Sequence, residues 1–168
     1  LLVYTHFVGG SGDHAEAYLA GRFSRDGGQS WSTEDVTILP NEAGQNVMSV
    51  SLLRLADGRI ALFYLRKNSL QDCRPLVRFS SDEARTWSDP VVIVPDSQLG
   101  YYVLNNDRVV QLADGRLVVP LAQHFGPGQD KWTGAAKIVC YFSDDAGQTW
   151  HKGDYGQPAA DEKSLVLQ

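Results

Sequence analysis

Short apolar runs separated by turn chemistry recur along the whole chain. Residues 50–55 and 60–65 flank Asp57-Gly58, a dipeptide suited to the positive φ of a hairpin turn. Residues 75–79 and 91–94 flank a box rich in Ser and Asp. Residues 109–112, 117–121 and 136–142 continue the pattern, and an edge strand is expected after Trp150. No segment has convincing 3.6-residue periodicity, so the chain reads as all-β.

The boxes repeat. Ser24-Arg25-Asp26-Gly27-Gly28-Gln29-Ser30-Trp31, Ser80-Ser81-Asp82-Glu83-Ala84-Arg85-Thr86-Trp87 and Ser143-Asp144-Asp145-Ala146-Gly147-Gln148-Thr149-Trp150 share the form Ser-x-Asp-x-[Gly/Ala]-x-[Ser/Thr]-Trp. Their tryptophans are 56 and 63 residues apart. A second marker alternates with them: Leu55-Ala56-Asp57-Gly58-Arg59 returns 57 residues later as Leu112-Ala113-Asp114-Gly115-Arg116. Four-stranded units of this length cannot bury both faces alone, which predicts the blades of a β-propeller. Residues 1–7 read as a second strand and 164–168 as the first strand of another blade. The expected tally is three strands, four, four and one. The blade units are about 1–40, 46–95 and 101–158. About three of six blades are present, a fragment of a longer chain or copies that self-associate to complete the ring; the fragment is the reading preferred. Phe23, Phe79 and Phe142, each just before a box, are expected in equivalent core positions.

The chain has 168 residues, 43% hydrophobic and 21% charged, enough to bury a core. Fifteen basic against twenty acidic residues give −5, which does not indicate a nucleic-acid partner. No apolar run approaches a membrane span. Cys73 and Cys140 make no disulfide framework and leave the compartment open. The opening Leu-Leu-Val-Tyr carries no basic-then-apolar leader, as a processed signal peptide would also leave it, so a secreted or periplasmic location stays open.

Three boxes in separate blades cannot all meet one substrate, so they are read as structural. Asp ties amides of a tight turn, Gly permits it, and Trp packs across the hairpin. Boxes and Asp-Gly turns join strands in the same sense and belong at one end of each blade. The other end is free to vary and collects 4–15, 45–49, 65–74, 101–108 and 123–133. A six-residue insertion in the last repeat falls between His124 and Gly134 there. This end holds Arg66, Lys67, Arg74 and Arg108, with Asp13, Asp72, Asp107, His6, His14 and His124. Converging arginines suit a substrate carboxylate, and a carboxylic acid among them suits general-acid work on a glycosidic oxygen. Trp132, Tyr101 and Tyr102 are candidates to stack on sugar faces. Asp72, Arg74 and Arg66 share a loop and could equally form ion pairs among themselves. The histidines lie on two blades without close ligand spacing, so no metal and no cofactor is expected.

The boxes resemble the Asp-boxes of the sialidase superfamily, also called bacterial neuraminidase repeats, over nearly the whole chain. Such boxes also occur in xyloglucanase-type and sorting-receptor propellers. Gly115-Arg116-Leu117-Val118-Val119-Pro120 with Tyr141–Trp150 is similar to the third sialidase blade. Gly12-Asp13-His14 ahead of Arg22-Phe23-Ser24-Arg25-Asp26-Gly27-Gly28 is similar to the first. The resemblance implies a six-bladed exo-glycosidase that acts on a terminal, acidic sugar with retention. Asp13 matches its general acid/base. Its first Arg lies upstream of Leu1, its Glu just past Gln168, and its Tyr nucleophile and further Arg later still. Substrate-binding candidates here are Arg66, Arg74, Asn106, Asp107, Arg108 and His124. Strand 2–7 lacks the acidic and Arg residues often seen there, and Asn105-Asn106-Asp107-Arg108 replaces small residues, so the sugar need not be sialic acid. A non-catalytic propeller module that binds glycan or protein is the alternative.

Overall fold

A computed structural model describes residues 1–10, 12–132 and 134–155. Twelve strands form one continuous sheet among the described residues: β1 (Leu2–Val8), β2 (Glu16–Arg22), β3 (Val36–Leu39), β4 (Asn46–Arg54), β5 (Ile60–Lys67), β6 (Cys73–Ser80), β7 (Val91–Val92), β8 (Tyr101–Val103), β9 (Val110–Gln111), β10 (Leu117–Phe125), β11 (Lys137–Ser143) and β12 (His151–Tyr155). A three-residue 3-10 turn, Asp96–Gln98, is the one helical piece described. Among the described residues no helix is long and apolar enough to cross a membrane.

The strands group into three antiparallel blades of a partial β-propeller. β1–β3 supply strands two to four of the first. β4–β7 form the second. In the third, β8 and β9 are two pieces of one first strand, both paired to β10, followed by β11 and β12. Twelve strands were expected, but the twelfth was placed at 164–168, outside the described residues. The number is reached instead because the third blade's first strand is broken. Asp107, at φ +57°, sits in the break.

Two apolar layers hold the blades face to face. β5 alternates strictly between them. Ala61, Phe63 and Leu65 enter a layer with Val77, Val119, Leu121 and Tyr141 of the third blade's side. Leu62 and Tyr64 enter another with Val3, Leu19, Ile38 and Val47. All five of these β5 side chains are 2% exposed or less. Each fully buried Leu or Phe contributes roughly 1.5–3 kcal/mol, so these layers dominate the exposed polar networks.

The boxes are self-contained turns, as expected. In each, the Asp carboxylate accepts from a downstream backbone amide and hydroxyl: Asp26 from Ser30, Asp82 from Thr86, Asp145 from Thr149, at 2.9 and 2.6 Å in every copy. The Ser hydroxyl accepts the amide of Gly28, Ala84 or Gly147. Trp150 closes on its own box, its Nε1 donating to the Gly147 carbonyl at 3.1 Å, and the tryptophans of the second and third boxes also reach beyond their own hairpins. Trp150 meets Phe63 of the second blade edge-on at 6.1 Å, and Trp87 packs into the layer shared with the first. Each thus faces the preceding blade. Trp31, whose preceding blade is not among the described residues, is 42% exposed.

The two markers are physically coupled. Arg59, after the Asp-Gly turn, lies over Phe79 at 4.5 Å, and Arg116 lies over Phe142 at 4.5 Å. Phe79 packs against the core layer with Arg59 over its outer face, Phe142 is half-buried under Arg116, and Phe23 is 37% exposed. Arg59 also donates to the Ala146 carbonyl of the third box. Turns and boxes share one end of the blades.

Hydroxyl and amide donors hold Asp26, Asp82 and Asp145 from their ordinary 3.8 down to about 2. A lowered carboxylate pKa stabilises the fold above the ordinary value and ceases to do so as pH falls towards the lowered one. Melts followed by circular dichroism should show stability falling between about pH 4 and about 2, and Asp82→Ala should lower Tm at pH 7 while flattening that acid limb. At Gly147, φ is +90° and a Cβ would come within 2.5 Å of Phe79. Gly58 has the same φ with open space. Gly147→Ala should therefore cost more than Gly58→Ala, about 2–3 against about 1 kcal/mol in urea unfolding.

Candidate active site

Blades are joined at the end opposite the boxes. There the start of each third strand pairs in parallel with the start of the next blade's first strand, Ala17 with Asn46 and Cys73 with Tyr101. Antiparallel pairs complete the row: Asn46 with Lys67, and Lys67 with Cys73. One line of residues, Ala17–Asn46–Lys67–Cys73–Tyr101, thus crosses all three blades. The loop before each third strand is brought beside it. These are residues 9–15 between β1 and β2, 68–72 between β5 and β6, and 126–136 between β10 and β11.

These loops enclose an open cavity of about 310 Å³ lined by Asp13, His14, Leu70, Tyr101, Val103, His124 and Trp132. Trp132 organises its wall. Its ring stacks on His124 at 5.7 Å and 22°, meets Tyr101 at 4.9 Å and 69°, and its Nε1 donates to the Leu70 carbonyl at 3.2 Å. Burial pushes the Tyr101 hydroxyl up to about 12, so it stays protonated at neutral pH. Asp13 is exposed at the mouth, and among the described residues no hydrogen bond engages its carboxylate. The arrangement offers a flat aromatic surface for an apolar sugar face, with a carboxyl group beside it.

Of the residues expected at the site, Asp13 and His124 line this cavity. Arg74 does not reach it. Its guanidinium is 5% exposed and held by Asp72 at 2.8 Å, Asp96 at 2.7 Å and the Val94 carbonyl. Burial opposes its charge, and the two carboxylates more than restore it, so its pKa rises. Arg66 is half-buried on β5 beside Arg74 in register. Asn106, Asp107 and Arg108 are exposed in the break between β8 and β9 and are not among the residues that line the cavity. That loop is tied to the second blade, where the buried Ser51 hydroxyl accepts the amides of Asp107 at 2.7 Å and Arg108 at 3.4 Å. His6 leaves the set: it contacts Asp35 at 3.4 Å and stacks on Tyr18 at 4.7 Å. Tyr102 is fully buried, its hydroxyl donating to the Gln98 carbonyl, so it presents no face to a sugar. Among the described residues no His, Cys, Asp and Glu cluster could hold a metal ion.

Lys67, already placed at this end by its loop, and Asn46, in the collected segment 45–49, take a role that the sequence did not assign them. Both are fully buried. Lys67 Nζ donates to the Asp13 carbonyl at 2.9 Å, and Asn46 Nδ2 donates to the same carbonyl at 3.0 Å and to that of Ala15 at 2.8 Å. A Lys and an Asn at opposite ends of a predicted hairpin, in apolar surroundings, were the available signal. Tyr64, Glu42 and Arg78 also form a tyrosine–carboxylate–guanidinium trio, but Tyr64 is fully buried between blades and its hydroxyl pKa is raised by burial.

Three antiparallel blades, face-to-face packing, boxes at one end and a loop-built cavity at the other define part of a β-propeller. The chain belongs to the BNR repeat-like domain family, whose pattern matches residues 2–168. Among curated proteins no sequence matches it. Solved structures share the fold. A Dyadobacter fermentans protein of unknown function is 19% identical, with TM-score 0.66 over 87% of this chain and 45% of that one. A Trypanosoma rangeli sialidase mutant displaying trans-sialidase activity is 17% identical, with TM-score 0.63 over 92% and 28%. The Hadza microbial sialidase is 20% identical, with TM-score 0.61 over 84% and 32%. The chain thus spans less than half the length of each.

Arg74→Ala should lower stability by roughly 2 kcal/mol in urea unfolding, because it strips a buried cation from two carboxylates. Arg108→Ala, at an exposed side chain, should stay within about 0.5 kcal/mol.

Proposed function

We propose that this chain is the acid/base-bearing part of a retaining exo-glycosidase of the sialidase kind, with Asp13 as general acid/base. The observation that carries the reading is the Asp13 carboxyl group at the mouth of an aromatic-walled cavity to which loops of all three blades contribute. Trp132 and Tyr101 provide the stacking surface, His124 backs Trp132, and Asp13 reaches the glycosidic oxygen of a sugar lying against them. In the first half-reaction Asp13 protonates the departing oxygen. In the second it takes a proton from the water that releases the sugar.

Nucleophile and activating Glu are assigned to chain beyond Gln168, as the resemblance implies, so the isolated piece is expected to turn over slowly at best. Arg66 and Arg108 are the arginines proposed to recognise an acidic sugar that extends beyond the cavity, whose lining includes neither of them, since Arg74 is committed to Asp72 and Asp96. Asn106 and Asp107 would contact substrate only from the far side of the break. A second copy completing the ring is the alternative to a longer chain, and solution mass separates them.

A glycan-binding module is the second reading. It is favoured by the cavity walls, which among the described residues include no tyrosine–glutamate pair. Asp13→Asn in the complete polypeptide decides between the two. On glycosides with poor natural leaving groups, turnover should fall at least about 100-fold. On aryl glycosides with activated leaving groups it should fall far less. Equal losses would remove Asp13 from the acid role, and no turnover by the parent polypeptide would leave the binding module.

A further inference from the structure

Lys67 is a fully buried ammonium with no acidic partner in ion-pairing distance among the described residues. Its neighbours are the Asp13 carbonyl at 2.9 Å and the face of Tyr101, whose centroid lies 5.3 Å from Nζ. Such a group is expensive to bury, and a Met of similar volume would fill the same slot without that cost. Packing therefore does not account for a lysine here. Geometry does. The Asp13 side chain is exposed and makes no hydrogen bond among the described residues, so its place is set only through its backbone. That backbone is gripped at one carbonyl by two buried donors, Lys67 and Asn46, and Asn46 also fixes Ala15. The same ammonium lies against Tyr101, which lines the cavity.

We propose that Lys67 is a positioning residue for Asp13, fixing the β1–β2 loop relative to the Tyr101 wall from beneath. The role rests on the acid/base reading of Asp13. Asn46 shares the grip, while Lys67 alone connects the loop with the cavity's aromatic surface. A loop so held keeps its carboxyl group over a bound sugar without a contact to the carboxyl itself, a pre-organisation in which small displacements are costly to proton transfer.

The experiment uses the complete polypeptide carrying Lys67→Met, with Lys67→Arg as the variant that retains a donor. Amide hydrogen exchange of residues 12–15 is measured alongside turnover of sialyllactose and of 4-methylumbelliferyl sialoside. Lys67→Met should raise exchange at 12–15 by roughly tenfold and leave the box turns unchanged. It should lower kcat on sialyllactose at least about tenfold with KM changed less than about threefold, and spare the aryl sialoside. Lys67→Arg should restore most of both. Unchanged exchange, or equal kcat losses on the two sialosides, would overturn the proposal. Should Lys67→Met not fold, Asn46→Asp, which removes the second donor to the same carbonyl, is judged by the same criteria. If the parent polypeptide turns over neither sialoside, sialic acid is excluded as its sugar, and the exchange measurement alone decides whether Lys67 holds the loop.

Discussion

The middle blade buries apolar side chains on both of its faces, Phe63 and Leu65 towards one neighbour and Leu62 and Tyr64 towards the other. A single sheet in water cannot do this, so the blades must stack face to face. Stacking by burial of alternate side chains fixes the register of each strand, since a slip by one residue would exchange the two layers. It also fixes the relative height of neighbouring blades. That height brings the starts of third and first strands into pairing, and with them the loops that bear Asp13, Leu70 and Trp132.

The two ends of the blades answer to different demands. At the box end the turns are closed by their own hydrogen bonds, arginines lie over Phe79 and Phe142, and Arg59 links the second blade's turn to the third box. At the other end the 68–72 loop closes on itself through Asn68, Ser69 and Asp72, while the loops of Asp13 and Asp107 depend on residues beneath them. Ser51 holds the break around Asp107, and Lys67 and Asn46 hold the Asp13 carbonyl. The cavity is thus built on the rigid ladder, while its lining can vary without disturbing the stack.

Electrostatics divides the charged residues in the same way. Arg74, deep between two carboxylates, is part of the scaffold, whereas the Asp13 carboxylate has no such partner among the described residues. Position along the chain does not separate these roles, because Asp13 in its loop and Arg74 at the start of β6 lie at the same end and both suit sugar recognition.

The all-β class, the blade repeat, the structural role of the boxes and the end on which the cavity opens were legible in the chain itself. They follow from period-two alternation and from turn residues whose conformational needs are local. The strand break at Asp107, the packing of Trp150 onto the preceding blade, the capping of Phe79 by Arg59 and the burial of Tyr102 were not. Nor was the grip of Lys67 on Asp13, which joins residues 54 positions apart. Those contacts arise between blades, where partners are chosen by the stacking of sheets rather than by neighbours along the chain, and only the assembled fold decides them.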